Sequence, residues 1–116
     1  MKKFVMIMFA AVALSAFAAD TTVKGYLVDL ACAAEDGSKA GFGAKHTKGC
    51  LQMPDCEKSG YGVLTDDKKV IKLDAAGNAS AKKFIAELTK KTDIRVSVTG
   101  AVTGESMTVS KIDLQP

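Results

Sequence analysis

Three cysteines and the only histidine of the chain lie close together in the sequence, at Cys32, His46, Cys50 and Cys56. Thiolate and imidazole are the ligands that zinc and other borderline or soft metals prefer. Four such groups can close a tetrahedral Cys3His site, and the metal bonds would then order the segment that carries them. The spacing predicts a transition-metal site in a structural or storage role, with zinc as the first candidate and copper as the second.

Two neighbouring side chains bear on this metal site. Met53 lies between the last two cysteines, and its thioether would suit Cu(I) in combination with thiolates. Asp29 lies shortly before the first cysteine and could orient His46 through a hydrogen bond. We favour the alternative that Asp29 is a polar residue on an exposed strand face. His46 and Cys50 are four residues apart, so a helical turn between them would bring both side chains to one face.

The same cysteines allow an interpretation without metal. Outside the cytoplasm thiols tend to be oxidised, and three cysteines cannot all pair within one chain. A Cys32–Cys50 disulfide would close a loop and stabilise the fold by about 3 kcal/mol on the chain-entropy model. A Cys50–Cys56 disulfide would instead form a small ring. Either pairing predicts a disulfide-stabilised module that binds a protein or another ligand, present as a monomer or as a disulfide-linked dimer.

The first eighteen residues have the pattern of a secretory signal peptide. Two lysines precede an apolar stretch over residues 4–14, and Ala16 and Ala18 are the small residues expected before a cleavage site after Ala18. The apolar stretch is shorter than the roughly 20 residues that span a bilayer, so we expect no stable membrane insertion. The pattern predicts a periplasmic or secreted protein whose mature part is residues 19–116.

The composition of this mature part argues against several functions. Without the two lysines of the signal peptide the formal charge falls from +3 to +1, which gives no reason to expect nucleic acid as a partner. The sequence contains no Cys-x-x-Cys redox motif, no haem-attachment motif, no P-loop and no G-x-S-x-G motif. We therefore expect a binding protein rather than an enzyme, with an unidentified protein as a further partner.

The rest of the chain has the patterns of short strands. Alternating β-branched and aromatic residues predict a first strand over residues 22–30, which runs into the cysteine segment. Residues 33–49 carry four glycines and no sustained period, which predicts a long loop held by a bond or an ion. Residues 61–65 and 70–73 predict an antiparallel hairpin with a polar turn.

One helix and two further strands are predicted after this hairpin. Apolar residues recur at i, i+3, i+4 and i+7 from Ala81 onward, which indicates an amphipathic helix capped by Asn78 or Ser80. Two strands then flank a turn at residues 103–106. The alternation of the last strand changes parity near Lys111, which indicates a β-bulge.

Five strands and one helix favour a small closed architecture. A single short helix cannot cover both faces of an open five-stranded sheet, so closure into a partly open OB-like barrel buries the apolar sides better. The alternative is an open antiparallel sheet with the helix packed on one face. Either way we expect a single, mainly β domain over residues 19–116 with a Cys/His loop at 32–56.

Short motifs along nearly the whole mature chain carry a resemblance. They are residues 25–29 followed by Cys32, His46-x3-Cys50, Cys56 with residues 59–60 and 62–64, and residues 96–100. Together they resemble a group of small exported bacterial proteins of unassigned function. The resemblance implies a secreted OB-like β-domain with a Cys/His cluster after the first strand, and it implies no established activity.

Overall fold

A computed structural model of the protein describes residues 20–115. The predicted signal peptide at residues 1–18 lies outside the described residues. Ten elements follow one another in the order β1 (Thr21–Asp29), α1 (Leu30–Asp36), α2 (Phe42–Lys45), α3 (Lys48–Leu51), α4 (Pro54–Ser59), β2 (Tyr61–Leu64), β3 (Val70–Leu73), α5 (Ala75–Glu87), β4 (Arg95–Thr103) and β5 (Ser106–Leu114). Across residues 20–115, none of the helices has both the length and the apolar character that crossing a membrane requires.

The five strands form one sheet in the order β1, β2, β3, β5, β4. β4 also pairs antiparallel with β1, so the sheet closes on itself. The shortest pairing in the sheet is the parallel one between β3 and β5, which consists of Lys72–Ser106 and Leu73–Met107. The prediction of a mainly β fold with five strands is confirmed, whereas the alternative of an open sheet is contradicted by the β4–β1 pairing.

The predicted hairpin and the predicted bulge are both present. β2 and β3 pair antiparallel from Gly62–Lys72 to Leu64–Val70. Between β4 and β5 the register shifts where Thr99 pairs with Lys111 and the next residue pairs with Val109. One extra residue on β5 therefore accounts for the change of parity in its sequence.

The prediction of one helix and a long loop is wrong, because four short helices occupy residues 30–59, the helical segment. Three of them begin at a local signal: the Asp29 carboxylate caps α1, the Thr47 hydroxyl caps α3, and Pro54 is the first residue of α4. These helices are four to seven residues long. They are shorter than the window of about 11 residues in which helical periodicity can be recognised, so the sequence suggested a loop instead.

The amphipathic helix α5 is where the apolar stripe predicts it, but its cap is not. Asp74 caps the helix by accepting a hydrogen bond from the Gly77 amide at 2.8 Å. Asn78 lies inside the helix, where its side-chain oxygen accepts a hydrogen bond from the Tyr61 amide at 2.8 Å. The predicted cap residue thus joins α5 to the start of β2.

The hydrophobic core lies between the strands and α5. Its buried members come from every strand, from α3, from α5 and from the residues between α5 and β4, namely Leu27, Leu51, Tyr61, Val63, Leu73, Ala81, Ile85, Leu88, Ile94, Val96, Val98 and Met107. Leu51 on α3 is the main apolar contribution of the helical segment to this core. The barrel is therefore the platform on which the four short helices are placed.

Candidate functional site

The site begins where β1 passes into α1. Asp29 is the last residue of β1 and is fully buried. Its Oδ2 atom accepts a hydrogen bond from the Cys32 amide at 2.9 Å, which satisfies one of the free N–H groups in the first turn of α1. A helix cap thereby places a carboxylate beside a thiol. The expectation that Asp29 is exposed is wrong.

The second thiol comes from the other end of the helical segment. Cys56 lies on α4, is buried, and has its Sγ atom 3.9 Å from Sγ of Cys32. The helices α1 and α4 that carry the two cysteines pack against each other. The two sulfurs and a carboxylate oxygen of Asp29 all lie within 4.8 Å of one another. These three donor atoms form what we call the Asp29/Cys32/Cys56 group.

His46 approaches this group through the carboxylate. Its Nε2 atom lies 2.6 Å from Oδ1 of Asp29, and the ring is buried. Because an ionised carboxylate can only accept hydrogen bonds, Nε2 carries a hydrogen and donates a hydrogen bond to Oδ1 of Asp29. Phe42 packs against the imidazole with 4.9 Å between ring centroids. An open cavity of about 270 Å³, lined in part by Phe42, Lys45 and His46, leads from solvent to this histidine.

The surroundings lower the pKa of the Asp29 carboxylate and raise the pKa values of the Cys32 and Cys56 thiols. Burial by itself would raise the pKa of Asp29, but hydrogen bonds from the Cys32 amide and from His46 hold it below the usual value. Burial, together with the hydrogen bond and the negative charge of Asp29, raises the pKa of Cys32 to about 12. Burial and the same negative charge also raise the pKa of Cys56. Without a cation the group consists of an anionic carboxylate and two protonated thiols.

Hydrogen bonds to the backbone hold the helical segment around the group. The Tyr61 hydroxyl on β2 donates to the Leu51 carbonyl at 2.7 Å. The Lys48 ammonium donates to the Leu88 carbonyl at 2.6 Å, beyond the end of α5. The Ala31 amide donates to Oγ of Ser59 at 3.1 Å and so ties α1 to the end of α4. The first two contacts attach α3, in the middle of the segment, to β2 and to the end of α5, and the third joins the two ends of the segment to each other.

The predicted site residues are therefore only partly brought together. Cys32 and Cys56 are in the group, and His46 reaches it through Asp29. Cys50 lies on α3, is partly exposed and is not a member of the group. Met53 is 53% exposed. The chain is extended at His46, between α2 and α3, so His46 and Cys50 do not share the helical turn that their spacing would allow.

All three cysteines are free thiols in the structure. The two sulfurs that lie next to each other belong to Cys32 and Cys56, which is neither of the two pairs considered from the sequence. The importance of Asp29 has a sequence signal in retrospect. An aspartate directly before the helix-forming run of residues 30–34 is a typical N-cap.

Comparison with protein-family models, with curated proteins and with solved structures finds no match to this chain. The functional argument consequently rests on the donor atoms themselves, their distances and their burial.

Proposed function

We propose that this protein is a small exported domain that binds a transition metal ion, zinc first and copper second, through Cys32, Cys56 and Asp29. The observation that carries the proposal is the 3.9 Å between the two sulfur atoms. In a tetrahedral zinc site with Zn–S bonds of about 2.3 Å, two sulfurs lie about 3.8 Å apart. The two thiols therefore need almost no movement to become ligands of one ion.

The third donor and its support fit the same ion. A carboxylate oxygen of Asp29 lies within 4.8 Å of both sulfurs, and carboxylates ligate zinc at about 2.0–2.2 Å. The hydrogen bonds from His46 and from the Cys32 amide fix the carboxylate, as is usual for ligands of metal sites. Three protein donors leave one tetrahedral position for water or for a donor from another molecule.

Metal binding would also remove the unfavourable interaction between the Asp29 carboxylate and the Cys32 and Cys56 thiolates. Two protonated thiols must lose their protons to become ligands, and a divalent cation replaces those protons with its own charge. The carboxylate of Asp29, which disfavours thiolates in the free protein, would then face the cation and stabilise it. We expect a structural or storage role for the bound ion.

The proposal includes the setting of this site. An OB-like fold is supported by the strand order and by the position of α5 between β3 and β4. Export to the periplasm, or secretion, is supported by the signal-peptide pattern of residues 1–18. In that compartment the ion would encounter the group after the chain has been exported and folded.

Zinc titration of the reduced protein in competition with a chromophoric chelator tests the proposal. We expect uptake of one equivalent, and we expect Cys32→Ser and Cys56→Ser each to weaken binding by more than about 100-fold, beyond the loss typical of supporting residues. Cys50→Ser is the matched control and should bind as the wild type does. No uptake by the reduced protein, or an equal loss in Cys50→Ser, would refute the proposed site.

A second candidate is a disulfide-stabilised interaction module without metal, in which Cys32 and Cys56 are joined. The same 3.9 Å separation favours it, because the two sulfurs are already neighbours in a chain that carries an export signal pattern. The intact mass of the native protein separates the two candidates. A mass lower by two hydrogens with one free thiol supports the disulfide, whereas three free thiols and one bound ion support the metal site.

A further inference from the structure

The sulfur atoms of Cys32 and Cys56 are used in both candidate functions, as metal ligands in the first and as a disulfide in the second. The distance between them is compatible with either state. At 3.9 Å they are near the separation required by zinc, and a disulfide requires about 2.05 Å. Closing the gap requires the two sulfurs to approach each other by about 1.9 Å, and both are carried by short helices outside the strands. Because a sulfur in a disulfide is no longer a thiolate ligand, one state excludes the other.

We propose that the Asp29/Cys32/Cys56 group is a redox-controlled metal site, which holds zinc as a dithiolate and releases it when Cys32 and Cys56 form a disulfide. This inference rests on the proposed metal-binding function and adds its regulation. The oxidant is a disulfide, either of a small molecule such as oxidised glutathione or of a protein in an oxidising compartment. Zinc itself does not change its oxidation state.

The order of steps follows from exposure. Cys32 is partly exposed and Cys56 is buried, so an incoming disulfide meets Cys32 first. Sulfur of Cys32 attacks the donor, forms a mixed disulfide and expels one donor thiolate. The sulfur of Cys56 then attacks Sγ of Cys32 in the mixed disulfide and expels the second donor thiolate. One donor disulfide becomes two thiols that take two protons from solvent, one protein disulfide forms, and Zn²⁺ leaves.

After this exchange the group has lost two of its three donors at once. Asp29 keeps its hydrogen bonds to His46 and to the Cys32 amide, so the carboxylate remains satisfied without the ion. Cys50 is not a member of the group and is not consumed. The oxidised protein therefore retains one free thiol and a folded barrel, and it can take up zinc again after reduction.

The experiment titrates the reduced, zinc-loaded protein with oxidised glutathione in the absence of air. Zinc release is followed with a chromophoric chelator, and the thiols are mapped by alkylation and peptide mass analysis. We expect one zinc ion to be released for each Cys32–Cys56 disulfide formed. Cys50→Ser should behave in the same way, and metal-free Cys56→Ser should stop at a glutathione adduct on Cys32. Circular dichroism confirms that each variant is folded.

Several outcomes contradict the inference, and they differ in what they imply for the proposed function. If oxidised glutathione leaves Cys32 and Cys56 unjoined and zinc stays bound, the redox control is refuted and the metal site stands. If zinc stays bound while Cys32 and Cys56 are joined, or if it leaves only with adducts or disulfides that involve Cys50, the redox control is refuted and so is the assignment of Cys32 and Cys56 as the zinc ligands. If the reduced protein takes up no zinc at all, the proposed function fails and the regulation fails with it.

Discussion

The barrel and the helical segment are built from different interactions. The barrel buries apolar side chains from all five strands and from α5, and its backbone groups pair along continuous strands. The helical segment contributes Leu51 to this core, and its other buried side chains include Cys56 and His46, beside the buried Asp29 at its start. Its helices are too short to be stable alone. The polar and sulfur groups that could bind an ion are thus placed where apolar packing is weakest.

This difference predicts two levels of stability. The barrel should unfold as one cooperative unit, whereas the helical segment can open locally because caps and a few side-chain hydrogen bonds hold it. A site of this kind can rearrange without loss of the fold. Substitutions on either side of the boundary, and at the contacts that cross it, test the comparison.

The largest effect is expected from a core truncation in the barrel. Leu27→Ala removes a fully buried side chain from β1 and should lower the free energy of unfolding by about 2–5 kcal/mol. Leu51→Ala removes the same atoms from α3 and is the matched variant. Hydrogen exchange should show Leu27→Ala weakening protection in all strands together, and Leu51→Ala weakening it first in residues 42–59. Uniform loss of protection in Leu51→Ala would mean that the segment is part of the barrel's cooperative unit.

His46→Ala should act mainly on the site. Loss of the hydrogen bond to Asp29 leaves that carboxylate without its orienting partner, so zinc affinity should fall by about 10–100-fold. Lys45→Ala is the matched control, because Lys45 is exposed and lines the same cavity without a hydrogen bond to Asp29. Chelator competition gives the affinities, and thermal unfolding of the metal-free proteins measures the separate cost to stability. Equal affinities in the two variants would remove His46 from the site.

Tyr61 on β2 joins the barrel to the helical segment through its hydrogen bond to Leu51. Its ionisation should make the free energy of unfolding decrease at alkaline pH. Burial raises the pKa of its hydroxyl from 10.0 to about 12. Because the raised pKa favours the protonated phenol in the folded state, this stabilisation is complete below pH 10 and is lost as the pH rises through about 12. Tyr61→Phe should remove the part of the pH dependence that Tyr61 contributes, while the part from the Cys32 and Cys56 thiols remains. It should also lower the free energy of unfolding by about 1 kcal/mol through the lost hydrogen bond to Leu51.

Denaturant unfolding between pH 9 and pH 12 measures the effect of Tyr61 on stability. Absorbance of the phenolate in Tyr26→Phe, which leaves Tyr61 as the only tyrosine, follows its titration directly. A titration of Tyr61 at the value of a free tyrosine would show that its hydroxyl is not held against α3.

The smallest effect is expected at an exposed contact across the same boundary. The Lys82 ammonium on α5 lies 2.7 Å from the Glu57 carboxylate on α4, and Lys82 is largely exposed. Solvent screens such a pair, so Lys82→Met should leave both the thermal midpoint and the zinc affinity within error of the wild type. Lys83→Met, one residue further along the same helix, is the control. A clear loss of zinc affinity in Lys82→Met alone would show that this pair positions Cys56.

Local patterns in the chain were sufficient for much of the barrel. The hairpin of β2 and β3, the apolar stripe of α5 and the bulge in β5 follow from alternation and periodicity over a few neighbouring residues. The concentration of cysteines and histidine into one segment was equally visible, because residue type alone identifies candidate ligands.

Folding in three dimensions decided the remaining features, since they depend on residues that are distant in the chain. The pairing of β4 with β1 closes the sheet, and the packing of α1 on α4 brings Cys32 beside Cys56 while Cys50 stays outside the group. The buried carboxylate of Asp29 accepts a hydrogen bond from His46, which lies seventeen residues further along the chain. Spacing along a chain records how many residues separate two groups, and distance between their atoms depends on the packing of every element between them.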